Sequence, residues 1–242
     1  MSAANISVPD AITTYAQLRD LTLRACESAR LAAEALGNGL ASGTPQHLDP
    51  IKVREEELDT YDRQINEGVT STISHVNEEQ ARELLTCLKF VIELERIGDL
   101  LLSVSSRARA VAGRIEPQDI KDLTVMASLL EKMLVDAAHA YSHRDLARAL
   151  AVLRADAEMD RIRNLMFVRH IENPENKPRQ ESFHLVFMTQ TLERAGDHCK
   201  NLAEEVCHLV SGRSIRHLMR ASDKSFEQMF VDWMRKREKL KK

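Results

Sequence analysis

Apolar side chains recur three and four positions apart along nearly the whole 242-residue chain, the period of helices that bury one face. Breaks in that pattern divide it into elements. A first helix is predicted over residues 12–36, with GNG at 37–39 as its stop. Asp49-Pro50 reads as a cap followed by a proline and opens a second helix over 49–75. Asn77 caps a third, whose first turn carries two acids, and the pattern then runs to about residue 112. After a turn at 113–117, further helices are predicted over 118–141, 144–171 and 179–210, the last two separated by NPENKP. A final amphipathic segment begins near Ser222. Few Gly, Pro and aromatic residues, with much Ala, Leu, Glu and Arg, agree with an all-α protein.

Two pentapeptides interrupt this pattern in the same way. Residues 95–99 read ERIGD and residues 193–197 read ERAGD, both inside apolar helical stretches. A mid-helix glycine costs about 1 kcal/mol relative to alanine, and acids four apart on one face repel by roughly a few tenths of a kcal/mol. Both penalties fall twice, in the third and the sixth helix. A second element also repeats: Glu55 to Asp59 and Asp156 to Asp160 each read acid-x-x-apolar-Asp. The offset between copies is 101 residues for this element and 98 for the pentapeptides. Matched patterns at nearly one offset indicate a duplicated three-helix unit. The units are assigned to residues 10–115 and 116–217, with 218–242 as an added C-terminal amphipathic helix.

The duplication sets up a geometry. Antiparallel pairing of the second and third helices about Asn77 puts Glu55, Asp59, Glu95 and Asp99 at one height. Pairing about NPENKP does the same for Asp156, Asp160, Glu193 and Asp197. Acids at i and i+4 share a face, so each half presents four carboxylates to a common point. Cations would relieve that repulsion, and oxygen donors suit Mg, Mn, Fe or Ca. Gly98 and Gly196 then permit close approach of backbone or ion, and Arg96 and Arg194 hold carboxylates by ion pairing. In the structural alternative, Arg96 and Arg194 neutralise the acids and the glycines serve only helix packing.

Charge and cysteine usage narrow the class further. The formal charge of −3, with both signs interspersed, gives no basic stripe for nucleic acid. The N-terminus lacks a basic-then-apolar leader, and the longest apolar-rich stretch is too short to cross a membrane. Cys26, Cys87, Cys199 and Cys207 form no CxxC pair and read as reduced thiols of a cytoplasmic protein. His139 and His143 are read as a solvated helix end rather than a zinc pair. Di-metal enzymes built on helical bundles use Glu-x-x-His, whereas glycine follows Glu95 and Glu193 at i+3, which argues against catalysis.

The paired acidic motifs and the two ERxGD copies resemble the PhoU family of phosphate-specific transport accessory proteins, over about residues 12–217. The ending HLVSGRSIRH at 208–217 is similar too. The resemblance implies two pseudo-symmetric antiparallel three-helix bundles. It implies a negative regulator, not an enzyme, that joins a phosphate ABC transporter ATPase to a membrane sensor histidine kinase, as a homodimer with at most peripheral membrane association. It also implies divalent or trivalent metal ions (Fe, Mn, Mg or Zn) at the eight acids named above, with Asn201 as an additional ligand. Ser103 stands where the first half would carry the matching Asn, and Asp156 replaces a longer Glu. A di-metal carboxylate enzyme, or an accessory of another phosphate transporter, is the alternative.

The C-terminal stretch departs from the family's short ending. Phe226, Met229, Phe230, Trp233 and Met234 form one apolar stripe before a basic end, RKREKLKK. Such a stripe packs on the protein's own bundle or on a second subunit, or docks to a transporter or kinase at the membrane, where the basic end favours anionic lipid headgroups.

Overall fold

The structure, a computed structural model, describes residues 14–172 and 180–212. The expected helix beyond residue 217 and the NPENKP turn lie outside these residues. Among them there is no β-strand, and six long α-helices follow one another: α1 (Tyr15–Ser42), α2 (Asp49–Thr72), α3 (Glu78–Ala110), α4 (Pro117–His143), α5 (Leu146–Phe167) and α6 (Gln180–Ser211).

Helix ends follow from local chemistry, with three departures from the sequence reading. Asn77 does cap α3, and a reciprocal bond from Gln80 completes a capping box. GNG does not stop α1, which continues to Ser42 and ends at Gly43, held left-handed at φ 63°. Gly39 is instead a packing glycine: a Cβ there would stand 2.2 Å from Leu48 Cδ2. Asp49 makes no capping bond at the start of α2, and its carboxylate meets Arg109 at 2.7 Å. At the start of α5, Asp145 accepts from the amides of Ala147 and Arg148, while Arg144 turns the chain at φ 54°. The α5 helix closes earlier than predicted, at Phe167, and passes into a π-turn at Val168–Glu172.

Each half is a three-helix unit, α1–α3 and α4–α6, with α2 packed on α3 and α5 on α6. The halves are joined by α1 against α4 and α3 against α6, and one continuous apolar core runs through both. Across the join, Tyr141 and Cys87 are hydrogen-bonded at 3.0 Å, and the Tyr141 ring lies 4.7 Å from that of Phe90. Polar pairs rim the same seam: Arg30 with Glu131 at 2.9 Å, and Lys89 with Glu205 at 2.7 Å. This double unit holds both ERxGD copies in helix interiors, on faces opposed by α2 and α5.

Candidate functional site

In the first half, α2 and α3 bring Glu55, Asp59, Glu95 and Asp99 together as the i, i+4 spacing requires. Gly98 permits the approach: a Cβ at this position would lie 2.7 Å from Leu58 Cδ1 and 3.7 Å from Glu55 Cα. The four acids sense one another across the helix pair. Burial, then Asp59 and Asp99, hold the Glu55 carboxyl above its usual value. Burial, then Asp99, Asp59 and Asp62, do the same to Glu95. Asp62 extends the cluster to a fifth carboxylate; its own proton affinity is raised by burial and by Asp59, although Asn66 donates to it at 3.0 Å.

None of Glu55, Asp59, Glu95 and Asp99 makes an ion pair or hydrogen bond among the described residues. Arg96 is exposed and forms no ion pair with them; its charge only lowers the proton affinity of Glu95 from a distance. The pairing role read for Arg96 is therefore not met in this structure.

The second half repeats the backbone arrangement with a different charge pattern. Arg163 Nη1 lies 2.5 Å from Glu193 Oε1, and Arg163 Nη2 lies 3.0 Å from Asp160 Oδ1. Lys200 Nζ lies 2.7 Å from Asp156 Oδ2. Gln190 also donates to Glu193, at 3.0 Å. Burial, then Asp156, raises Asp197; burial outweighs Arg163 and leaves Glu193 raised as well. Arg194, read as the clamp, is exposed and makes no ion pair among the described residues; Arg163 takes that place. Gly196 is less constrained than its counterpart, since a Cβ would meet Met159 at 3.5 Å, an ordinary contact.

The contrast traces to a few repeat positions. At the offset of 101 that relates Asp59 to Asp160, Asp62 is matched by Arg163. At the offset of 98 that relates Asp99 to Asp197, Leu102 is matched by Lys200. One half thus gathers five carboxylates with no cation paired to them, Lys52 and Arg96 acting only at a distance; the other gathers four, three of which pair with Arg163 or Lys200. Both cations stand three residues beyond a motif acid, a helical neighbour spacing visible in the sequence. Asn201, read as an extra ligand, instead donates to Glu93 at 3.0 Å, beside His198, which donates to the same oxygen at 2.5 Å. Those two bonds outweigh burial and keep Glu93 below its usual value. His139 and His143 stack, ring centroids 4.2 Å apart, an arrangement that does not converge on an ion.

The donor set of the first half fits a hard cation, being carboxylate oxygens alone, without internal neutralisation. As the side chains stand, no three His, Cys, Asp or Glu donors among the described residues converge closely enough to hold one. The second half fits a cation less well, because its own Arg163 and Lys200 stand among the acids.

The two three-helix units correspond to two matches to the PhoU domain, at residues 22–108 and 123–206. The chain belongs to the PhoU family. A PhoU homolog of Thermotoga maritima, named a phosphate-specific transport system accessory protein, is 28% identical over 222 residues, covering 86% of this chain and 95% of that one. Its namesake in Pseudomonas aeruginosa is 29% identical over 182 residues, covering 73% and 74%. In fold, the crystal structure of PhoU from Pseudomonas aeruginosa superposes with a TM-score of 0.74 at 24% identity, covering 82% of this chain and 97% of that one. The phosphate transport system regulatory protein PhoU of Streptococcus pneumoniae gives 0.75 at 16% identity, covering 83% and 96%. No helix among the described residues is long and apolar enough to cross a membrane.

Proposed function

We propose that this PhoU-family protein is a non-catalytic regulatory adaptor of phosphate uptake in the cytoplasm. In this reading it works as a homodimer, joins the ATPase of a phosphate ABC transporter to a membrane sensor histidine kinase, and represses phosphate-starvation genes when phosphate is plentiful. Family membership and the names of its relatives support a role beside a phosphate transport system. Glycine at i+3 from Glu95 and Glu193, where a di-metal enzyme would place histidine, supports the absence of catalysis.

The observation that carries the metal part of the reading is the first half's unpaired carboxylate face. Glu55, Asp59, Glu95 and Asp99 would hold a hard cation there, whose contribution is neutralisation of like charge. Asp59 and Asp99 are exposed and unpaired, so they are free to reorient toward it. An ion that binds folded but not unfolded chain raises stability with its concentration. Melting temperature should therefore climb with added Mn²⁺. Asp59→Asn/Asp99→Asn should remove the climb, and Asp156→Asn/Asp197→Asn should leave most of it. A climb that survives loss of both Asp59 and Asp99 would sink the assignment. For the adaptor, the test is recovery of a transporter ATPase or a sensor kinase with tagged protein from phosphate-replete cells. Recovery of neither, with a starvation-gene reporter still repressed after deletion of this gene, would reject it.

A further inference from the structure

Large aromatic rings seldom stand in water together on one face. The chain has six Phe. Phe90 is in the core, but Phe167, Phe183 and Phe187 are 41%, 62% and 46% exposed. They line one open groove of about 380 Å³ where the end of α5 meets the start of α6, with Arg107 of α3 at its edge. The guanidinium carbon of Arg107 sits 3.5 Å from the centroid of the Phe187 ring, and Arg107 has no ion pair among the described residues. The seven residues NPENKPR at 173–179, between the π-turn and α6, carry no apolar side chain besides proline.

The two remaining Phe, 226 and 230, lie with Trp233 on the C-terminal apolar stripe. We propose that residues 225–234 of the same chain occupy the Phe167–Phe183–Phe187 groove, with the stripe of Phe226, Met229, Phe230, Trp233 and Met234 seated on the three rings.

Reach, shape and charge support this occupant. From Ser211 back to Phe187 is about 36 Å at 1.5 Å per helical residue. The nine residues 213–221 span up to about 30 Å when extended, and the first helical turn from Ser222 adds about 6 Å, which just returns the stripe to Phe187. A concave groove takes a ridge such as a helix stripe, whereas a bilayer meets flat or convex surfaces. Glu227, at the edge of the stripe by helical spacing, is a carboxylate for Arg107. Tethering also gives the segment an effective concentration in the millimolar range, above that of a second copy at ordinary protein concentrations.

Trp233 is the chain's only tryptophan, so its fluorescence reports the docking directly. In the full chain, emission should be blue-shifted and poorly quenched by acrylamide, independent of protein concentration. Phe183→Ser/Phe187→Ser should shift it to that of a solvated indole, with the far-ultraviolet helical signal unchanged, since neither ring is in the core. Solvated emission in the parent chain, or emission indifferent to the double substitution, overturns the proposal. A photo-crosslinking amino acid in place of Phe187 gives a reading that does not depend on how the double variant folds. Adducts should have monomer mass and map to 225–234. Dimer-mass adducts would assign the groove to a second copy, and a blue shift that arises only with anionic vesicles would assign it to lipid; either result rejects the intramolecular contact.

Discussion

At the residue scale, the two ERxGD glycines perform different work although they hold the same place in the same motif. Gly98 faces Leu58 and Gly196 faces Met159, which occupy the same repeat position in α2 and α5. A branched Leu presses its methyl against the glycine; an unbranched Met can turn aside. Gly98→Ala should therefore lower stability: overpacking costs about 1–3 kcal/mol, partly offset by roughly 1 kcal/mol of helix propensity. Gly196→Ala should be neutral or stabilising by up to about 1 kcal/mol. Equal melting temperatures for the two variants would contradict this account. Spacing could locate both glycines in their helices, but not the side chain across the gap. Another residue-scale device was not legible at all. Asp119, buried at the start of α4, accepts from Arg169 at 2.6 Å and from His170 at 3.0 Å, and so anchors the π-turn after α5. Burial opposes its charge, yet these two partners win and hold Asp119 below its usual value. Its folded affinity for protons is depressed, so its stabilisation is present above the unfolded value near 3.8 and is lost as pH falls through the folded one. Asp119→Asn should cost about 2 kcal/mol at neutral pH, and denaturation midpoints of the two proteins should converge below pH ~4. A gap that persists in acid would mean the loss is steric.

Among elements, the hydrophobic period located all six helices, because burial of one face is what the pattern records. It was less informative about ends. GNG looked like a stop for α1, yet Gly39 is there to admit Leu48, a contact that depends on how the chain turns after the helix and not on any local rule. The level alignment of carboxylates was also legible, since it needs only helix geometry and a hairpin. Which charges pair with them was misassigned to Arg96 and Arg194, because the side chain that reaches across, Arg163 or Lys200, is set only by how α5 and α6 pack. Their removal is informative. Arg163→Gln/Lys200→Gln should lower metal-free stability by about 1–2 kcal/mol, the ion pairs being partly exposed. Combined with Asp59→Asn/Asp99→Asn, the same pair should restore a Mn²⁺-dependent rise in melting temperature, now from the α5–α6 face. If no rise returns, the two cations are not what distinguishes the halves.

For the molecule as a whole, duplication was read correctly from the matched offsets, but the closeness of the two units was not visible in either repeat alone. The apolar core crosses from one to the other through α1–α4 and α3–α6. Helical signal and core fluorescence from an introduced probe should therefore lose structure in one shared transition; two separated transitions would show that each unit stands alone. The cysteines offer an independent clock for the same event. All four are buried: Cys26 and Cys87 in the first unit, Cys199 and Cys207 in the second. Burial pushes the Cys26 and Cys207 thiols up to about 12 and raises Cys87 and Cys199 too, so thiolate, the reactive form, is scarce in the folded state. Alkylating reagents should then modify this protein only through openings of the whole chain, with the four sites labelled in step. The cysteines of this PhoU-family chain would thus stay silent through mild oxidative stress for as long as it remains folded.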